Sequence, residues 1–483
     1  MPPTVPAPPD PPTVDPAPAE RPRSTPASAA SAPSDVATAP TTGPVPPSAA
    51  TVRGRLLWAR GLTAAGDQAW EMALPLAIAA LYPRNVQLVA GIWLVLRVAQ
   101  ALLVQRLTAM IDRWSPTSVL RVGVLGQTAG VAATWASLGV MVAVRVGGGD
   151  ERLLWPLLAI AQTTTALCAS LMDVAVAQSW LPRLVALGDL PRTNVRLRQI
   201  DLGAEVVMPV VAGVVLAAAN APLVGLGVIA ALNFMSFIPE YLLLRPLVAG
   251  LPRPQSAASE RFDLAARWRL WRAQPIFGSM LAYACLWSTV LTPHGAVLTA
   301  WLRGVGGLGD AELGLFRGLG AAGGVLGAQL HHHFRRRYTV VATARGFVVF
   351  QALVIGLGTL ALGLDWLPGL LAGVVLSRVG LFGFAVGEVE IRQRGVDDAV
   401  RGRVSGLAGS VNQAATVFVL LLAAGLPGDD NLLALSTVSA IAVVLGAVQF
   451  ARWSRSPAAQ ALARRERQEV PAAAGATQRG SIV

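Results

Sequence analysis

"GDQAWEMAL", residues 66–74, lies inside an apolar run that decides the fold class of this chain. A helix that crosses a bilayer needs roughly 20 predominantly apolar residues, and the run 58–81 is that long. Asp67 and Glu71 are four residues apart, so on a helix they share one face. Carboxylates in hydrocarbon are costly and usually mark a substrate or ion pathway. The stretch therefore predicts a first membrane span that carries functional acids.

The composition of the whole chain also indicates a membrane protein. Of its 483 residues, 54% are hydrophobic and 14% are charged, whereas a soluble protein carries about 25% charged residues. There is no Lys, so all 39 basic residues are Arg. The net charge of +12 does not indicate nucleic-acid binding, because the Arg residues flank apolar segments as membrane topology requires. The two Cys, Cys168 and Cys285, exclude a disulfide framework and a Cys-based metal knuckle.

Apolar runs of spanning length recur along the chain and predict about twelve transmembrane helices in two six-helix halves. The first set is predicted at 58–81, 86–106, 119–145, 152–180, 198–219 and 223–247. The second set is predicted at 274–301, 311–333, 338–364, 368–391, 403–426 and 430–452. Arg-rich connections alternate with Arg-poor ones, which places both termini in the cytoplasm. The pattern favours an all-α major facilitator fold, in which substrate binds between the halves.

Five regions follow from this organisation. They are a disordered Pro/Ala/Ser-rich cytoplasmic tail (1–52), an N-terminal six-helix half (53–247), a cytoplasmic connecting loop (248–273), a C-terminal six-helix half (274–453) and a disordered cytoplasmic tail (454–483). The first tail is too poor in apolar residues to bury a core. It lacks the pattern of a secretory signal, and its acidic residues argue against a transit peptide. A plasma or cytoplasmic membrane is therefore favoured over an organelle envelope.

Several stretches carry a family resemblance when taken together. They are "GDQAWEMAL" (66–74), "QSWLPRLVALGDLPRTNVRLRQID" (178–201), "NFMSFIPEYLLL" (233–244), "QPIFGSMLAYACLWSTVL" (274–291), "SRVGLFGF" (377–384) and "RGRVSGLAGSVNQ" (401–413). Their order and spacing resemble those of ferroportins, the iron exporters of the major facilitator superfamily. The resemblance covers most of residues 58–453. It implies export of divalent iron, sometimes of other divalent metals, by alternating access.

The resemblance also implies one metal site in each half. In the first site, Asp67 stands at the family's Asp position, and Glu71 stands where the family has a His. In the second site, His294 lies on the unwound part of span seven. Gly295 replaces a Cys of the vertebrate members, and the span-eleven His position holds Val419. The second site therefore departs from the animal pattern.

The chemistry of these residues is compatible with a metal but leaves alternatives open. First-row divalent metals accept carboxylate and imidazole ligands, and two carboxylates favour iron or manganese over softer metals. The alternative for both acids is an ion pair with an intramembrane Arg such as Arg97. His294 follows Pro293, which breaks a helix locally, and broken spans are where transporters bind ions. The alternative for His294 is a bond to a carbonyl freed by the break.

Further residues are expected to gate the cytoplasmic side. The resemblance assigns the span-five residues to an inner gate that closes by ionic contacts between the halves. The family's opposing acid on span ten is Ala385 here, and two nearby Glu are candidates to replace it. An Asp after span two matches an acid of the superfamily's loop between spans two and three, with simple solvation as the alternative. The expected gating residues are Asn194, Arg198, Asp201, Asp112, Glu388 and Glu390.

"HHHFRRR" (331–337) has the composition of a metal tract. Successive helical residues point in directions about 100° apart, so three consecutive His do not converge on one ion. The favoured interpretation is the end of a span followed by cytoplasmic Arg. The neighbouring "GLGAAGGVLG" (318–327) is typical of close helix packing.

These observations favour a ferroportin-like secondary transporter that exports divalent iron, with cobalt and manganese as further candidates. The alternatives are a proton-coupled efflux pump for organic cations or drugs and a receptor or scaffold without turnover. A nucleotide-binding "GxxxxGK" loop requires Lys, so an ATP-driven pump or an enzyme is not expected. We expect no cofactor, since the metal is cargo. The expected partners are the metal ion and the lipid bilayer, with a monomeric protein and no nucleic acid.

Overall fold

The computed structural model describes residues 48–83, 85–186, 189–252, 264–292, 295–426 and 431–479, and all regular structure in these ranges is helical. Some helical positions have an undescribed side chain: 104–109, 112, 178, 190–191, 264, 398–399, 401–402 and 469–479.

The first half consists of long helices joined by short connections. They are α1 (Ala49–Leu81), α2 (Val86–Arg113), α3 (Pro116–Val146), α4 (Trp155–Val174), α5 (Leu181–Leu184), α6 (Leu190–Ala218) and α7 (Pro222–Ala249). Local chemistry sets several of these boundaries. Asn85 caps α2, because its side-chain oxygen accepts the N–H of Leu88 at 3.0 Å. Pro116 and Pro222 stand at the start of α3 and α7, where a missing N–H costs nothing. One π-helical stretch, Ala175–Trp180, joins α4 to α5.

The second half is similar but contains a divided span. Its helices are α8 (Leu264–Arg272), α9 (Phe277–Trp287), α10 (Ala296–Gly304), α11 (Asp310–Arg335), α12 (Val340–Gly363), α13 (Leu367–Gly395), α14 (Asp398–Gly425), α15 (Leu432–Trp453) and α16 (Pro457–Arg479). The predicted seventh span is divided, since α9 ends at Trp287 and α10 begins at Ala296. The break leaves backbone groups without helical partners, so neighbouring residues must bond them.

The all-helical, multi-span fold predicted from the sequence is confirmed. Within the described ranges, nine helices are long and apolar enough to cross a bilayer. The other predicted spans are α1 and α11, which carry charged side chains, and the divided pair of α9 and α10. The count of twelve remains a prediction.

The predicted tails and connecting loop differ from the structure in three places. α1 already begins at Ala49, inside the predicted tail 1–52, of which residues 1–47 lie outside the described ranges. The predicted loop 248–273 contains α8. The predicted disordered tail 454–483 contains α16, which the buried Glu466 anchors by accepting the N–H of Val340 at 3.0 Å and pairing with Arg335. The composition of residues 454–483 predicted a disordered tail and did not indicate that Glu466 would be buried.

The two halves meet at a glycine contact between α6 and α11. A Cβ atom at Gly314 would lie 2.5 Å from the carbonyl oxygen of Pro209, and one at Gly213 would lie 2.4 Å from that of Asp310. A Cβ atom at Gly318 would lie 2.7 Å from the carbonyl oxygen of Val206. The backbones therefore touch directly, as small residues allow in membrane helices. The orientation predicted from the Arg distribution would put this contact in the outer part of the membrane, away from the cytoplasm.

Candidate functional site

Asp67 and Glu71 line a cavity of about 340 Å³ between α1, α2, α4 and α6. Five acids face it: Asp67, Glu71, Asp173, Asp201 and Glu205. A second cavity of about 610 Å³ reaches the other half at α9, α11 and α13. The two cavities share Gln68, Glu71, Arg198 and Glu205. Asp67 thus faces the cavity within the first half, whereas Glu71 lines both cavities; their role in a substrate path stays a prediction.

Two contacts fix the rotation of α1 in this arrangement. Asn233 on α7 donates to the carbonyl of Gly66 at 3.1 Å, and a Cβ atom at Gly66 would lie 2.8 Å from the hydroxyl of Ser236. Trp70 is buried and donates its indole N–H to Gln162 on α4 at 3.1 Å. Asp67 is held between these contacts and makes no hydrogen bond or ion pair with any described residue. A carboxylate without a protein partner in this setting is available to a cation.

Glu71 is paired, but not with the residue that the sequence suggested. Arg317 on α11 donates to Oε2 of Glu71 at 3.1 Å and to its backbone carbonyl at 3.0 Å. The Arg317 side chain is only 3% exposed, whereas that of Glu71 is 58% exposed. Arg97, named as an example of an alternative partner, donates instead to Gln100 at 3.0 Å. The ion pair therefore joins the two halves across the cavity.

The span-five residues expected to form a gate lie in the first part of α6, and two of them, Arg198 and Asp201, line the same cavity. Asp201 accepts the Nε–H of Arg60 at 2.6 Å, and Arg60 also pairs with Asp173. Arg198 lines both cavities, and Asn194 is exposed on α6. Both ion pairs that Arg60 makes with described residues lie within the first half. The structure thus brings Asp201 into a network that does not cross to the second half.

The proposed replacements on span ten are paired within the second half. Glu388 is 1% exposed and lies 3.2 Å from Arg392, while Glu390 accepts from Arg335 at 2.7 Å. Ala385, the position of the family's acid, lines the second cavity. The side chain of Asp112 lies outside the described residues. The gating roles of all six residues remain predictions.

A third cavity of about 160 Å³ lies beside the break in span seven. Gly295 and Val419 both line it, so the two positions that depart from the animal pattern do meet in space. His294 and Pro293 lie outside the described residues, and their roles stay predictions. At the break, the N–H of Val290 donates to the hydroxyl of Ser439 on α15 at 3.0 Å. The walls carry Arg97 and Arg378 and no acidic residue among the lining side chains described.

The His tract does not form a ligand set. His331 is buried and stacks on Phe347 with ring centroids 5.8 Å apart, while His332 and His333 are exposed. In the described part of the chain, no group of three or more His, Cys, Asp or Glu side chains has the arrangement of a resident metal site.

Sequence reasoning missed several charged residues that line or flank the cavities. They are Arg60, Asp173, Glu205, Glu240, Arg317 and Arg378. Each interrupts or borders an apolar run, so a survey of every ionisable residue within the predicted spans would have found them. Their ion-pair partners could not be found in that way, because the partners lie on helices that are distant in the sequence.

Comparison with known proteins identifies similar chains. The family model described as Ferroportin1 matches residues 51–262 and 255–443. A protein of Bdellovibrio bacteriovorus named Ferreportin is 33% identical over 418 residues, which cover 83% of this chain and 94% of that protein. Family and relative agree over both halves.

Comparison with solved structures indicates which conformational state of the transporter fold this chain resembles. A bacterial homologue of the iron transporter ferroportin in an inward-facing state matches with a TM-score of 0.77 at 32% identity, covering 85% of this chain and all of that one. The outward-facing state with soaked iron gives a TM-score of 0.60 at 32% identity, over 84% and 99% of the two chains. A peptide transporter, 12% identical with a TM-score of 0.63, covers 85% and 95% and shares the fold alone. The present arrangement is thus closer to the inward-facing state.

Proposed function

Because this chain belongs to the ferroportin family, we propose that it exports divalent iron across a membrane by alternating access, with cobalt and manganese as further cargoes. Members of the family and the structural neighbours are transporters, not enzymes. The helices make this chain a multi-pass membrane protein. We place it in a plasma or cytoplasmic membrane as a monomer that needs no cofactor.

The observation that carries the proposal is the position of Asp67. Asp67 lies on the first span and faces the first cavity, of about 340 Å³. It has no hydrogen-bonding or ion-pairing partner among the described residues. Glu71 lies one turn away, and the amide side chains of Gln68, Gln100 and Gln162 line the same cavity. Carboxylate and amide oxygens suit iron(II) and manganese(II) better than softer cations. A divalent cation would thus find one free carboxylate and a second within reach.

Binding can be coupled to the motion of the halves through Glu71. A cation that takes Glu71 as a ligand competes with Arg317, which holds that carboxylate from the second half. Loss of this pair removes one tie between the halves. A ligand shifts a conformational equilibrium only through different contacts in the two states, and this exchange of partners is such a difference.

Closure of the cytoplasmic side would use the expected gating residues. Asn194, Arg198 and Asp201 lie on α6 at that side, and Asp201 would exchange Arg60 for a partner in the second half. Glu388 and Glu390 would contribute from α13, and Asp112 from the end of α2. His294 would receive the cation at the break in span seven. Each of these changes of partner would begin from the inward-facing arrangement.

Metal flux in proteoliposomes tests the proposal. Purified protein would be reconstituted, and the movement of iron, cobalt and manganese would be followed for wild type, Asp67→Ala, Glu71→Ala and His294→Ala. Asp365→Asn, at an exposed turn with a positive φ of 51°, serves as the matched control, since Asn tolerates that conformation. We expect loss of flux in Asp67→Ala and unchanged flux in the control. Full flux in Asp67→Ala would contradict the assigned role.

A proton-coupled pump for organic cations is the second candidate. The second cavity, of about 610 Å³, is lined by Trp287, Leu381, Phe382 and Val386, and its size is in the range of drug-binding sites, roughly 300–1,000 Å³. Ethidium flux in the same proteoliposomes separates the two functions. If wild type moves ethidium and no divalent metal, the family resemblance extends only to the fold.

A further inference from the structure

The side chains that line the third cavity, beside the break in span seven, are positively charged, whereas those that line a cation site are negatively charged. Arg97 on α2 and Arg378 on α13 both line it. Hydroxyl groups of Thr289, Thr292 and Thr416 supply the remaining side-chain polarity, and none of the described lining residues is acidic. Among the described lining residues, a divalent cation placed here would meet two positive charges and no carboxylate.

Arg378 is the strongest sign that a ligand belongs in this cavity. Its side chain is buried, with 8% of the residue exposed, and its Nε–H has no hydrogen-bond partner. The guanidinium lies 4.8 Å from the ring centroid of Phe382, which satisfies none of its N–H groups. Glu205 acts on it electrostatically but lines the adjoining cavity. Because a buried charge without a partner is costly, a negatively charged group is expected beside it.

The amino end of α10 points into the same cavity. This helix has nine residues, Ala296–Gly304, and Gly295 at its N-cap provides no side-chain hydrogen bond. Ala296 and Val297, in its first turn, both line the cavity. First-turn amides lack helical partners, and the helix dipole adds partial positive charge there. A helix end of this kind binds anions readily, and it converges here with the buried Arg378, whose Nε–H has no hydrogen-bond partner.

The size of the cavity restricts the ligand. Its volume of about 160 Å³ is equivalent to about five water molecules, since each occupies roughly 30 Å³ in the liquid. Drug-sized ligands occupy roughly 300 Å³ or more. A small inorganic anion with a few waters fits, and an organic substrate does not.

We propose that the cavity formed by the amino end of α10, Arg378 and Arg97 binds a small inorganic anion such as chloride. The site lies where the family resemblance predicts the second cation site, so an anion bound here would stand in place of the cation role proposed for His294, and Val419 supplies no ligand to either kind of ion. The proposal concerns binding in the second half and does not depend on which cargo the first half carries. A bound anion would partly neutralise the positive charge of Arg378 and Arg97 while the acids of α1 hold the cation.

Anion binding is measured without metal, so that its result is separate from the test of transport. The full chain in detergent would be titrated with sodium chloride against sodium gluconate at constant ionic strength, and its thermal unfolding temperature would be followed. A ligand of the folded state raises this temperature in a saturable manner. We expect that behaviour for wild type and for Arg345→Gln, the control, because Arg345 is exposed on α12 away from this cavity. A wild type without a saturable shift would refute the proposal.

Substitutions in the cavity identify the site. Arg378→Gln is expected to raise the chloride dissociation constant by at least about tenfold, because it removes a charged donor. Thr292→Asp places a carboxylate in the cavity and is expected to abolish the shift, which provides a second test if Arg378→Gln does not fold. Binding of radioactive chloride, with nitrate and bicarbonate as competitors, distinguishes a halide site from one for planar oxyanions. Chloride binding that is equally strong in both variants would place the anion elsewhere.

Discussion

Replacement of Gly314 by Val should drive the protein out of its inward-facing arrangement. In this state a Cβ atom at position 314 would lie 2.5 Å from the carbonyl oxygen of Pro209, where ordinary contacts begin at 3.4 Å. α6 and α11 would have to separate by about 0.9 Å, the difference between these two distances. Overpacking of this kind costs about 1–3 kcal/mol. Since 1.4 kcal/mol is a factor of ten, the outer-closed population should fall by about 5- to 150-fold relative to the outward-open one.

Spin labels across the outer mouth provide the measurement. Cysteines at the exposed Val146 and Leu364, introduced after removal of Cys168 and Cys285, would report the distance between the halves. We expect a longer distance in Gly314→Val. Gly356→Val is the control, because a Cβ atom there would have nothing within 4 Å. The same distance distribution in the two glycine variants would show that the α6–α11 contact does not hold the outer side closed.

Two other substitutions test ion pairs. Arg317→Gln removes the competitor for Glu71, so the dissociation constant for cobalt, measured by calorimetry, should fall by about tenfold; an unchanged or weaker affinity would contradict the competition. Glu466→Gln removes the charge that pairs with Arg335, which should weaken the docking of α16 by about 1–3 kcal/mol. Trypsin should then cleave within α16 at least about fivefold faster than in wild type, whereas equal rates would show that α16 is held by other contacts.

The span pattern and the acid pair of α1 could be predicted because each is a local feature of the sequence. Runs of apolar residues set the spans, and the four-residue spacing of Asp67 and Glu71 places both on one face of a helix. Pro293 predicted a break, and the described helices on either side of it end at Trp287 and begin again at Ala296. These predictions required no knowledge of which helices are neighbours.

Pairing between distant helices could not be predicted in this way. Arg317 is 246 positions from Glu71, and Arg97 looked equally suitable from composition. Helix α16, after the last span, buries the carboxylate of Glu466 together with Ala459 and Leu462, and composition alone did not predict this burial. The family resemblance placed Val419 opposite the break. That Arg97 and Arg378 line the same cavity as Val419 could be seen only in the structure.

The divided seventh span has a consequence for how the protein is made. α9 and α10, with 11 and 9 residues, rise about 16 and 14 Å at 1.5 Å per residue, and neither alone crosses a hydrocarbon core of about 30 Å. An amide in the gap is bonded by Ser439 of α15, and α15 also packs closely on α9 at Gly446. The ribosome synthesises α15 about 150 residues later. The amide of Val290 therefore lacks its Ser439 partner while the seventh span is being made, and the span can reach its final form only after α15 has been translated.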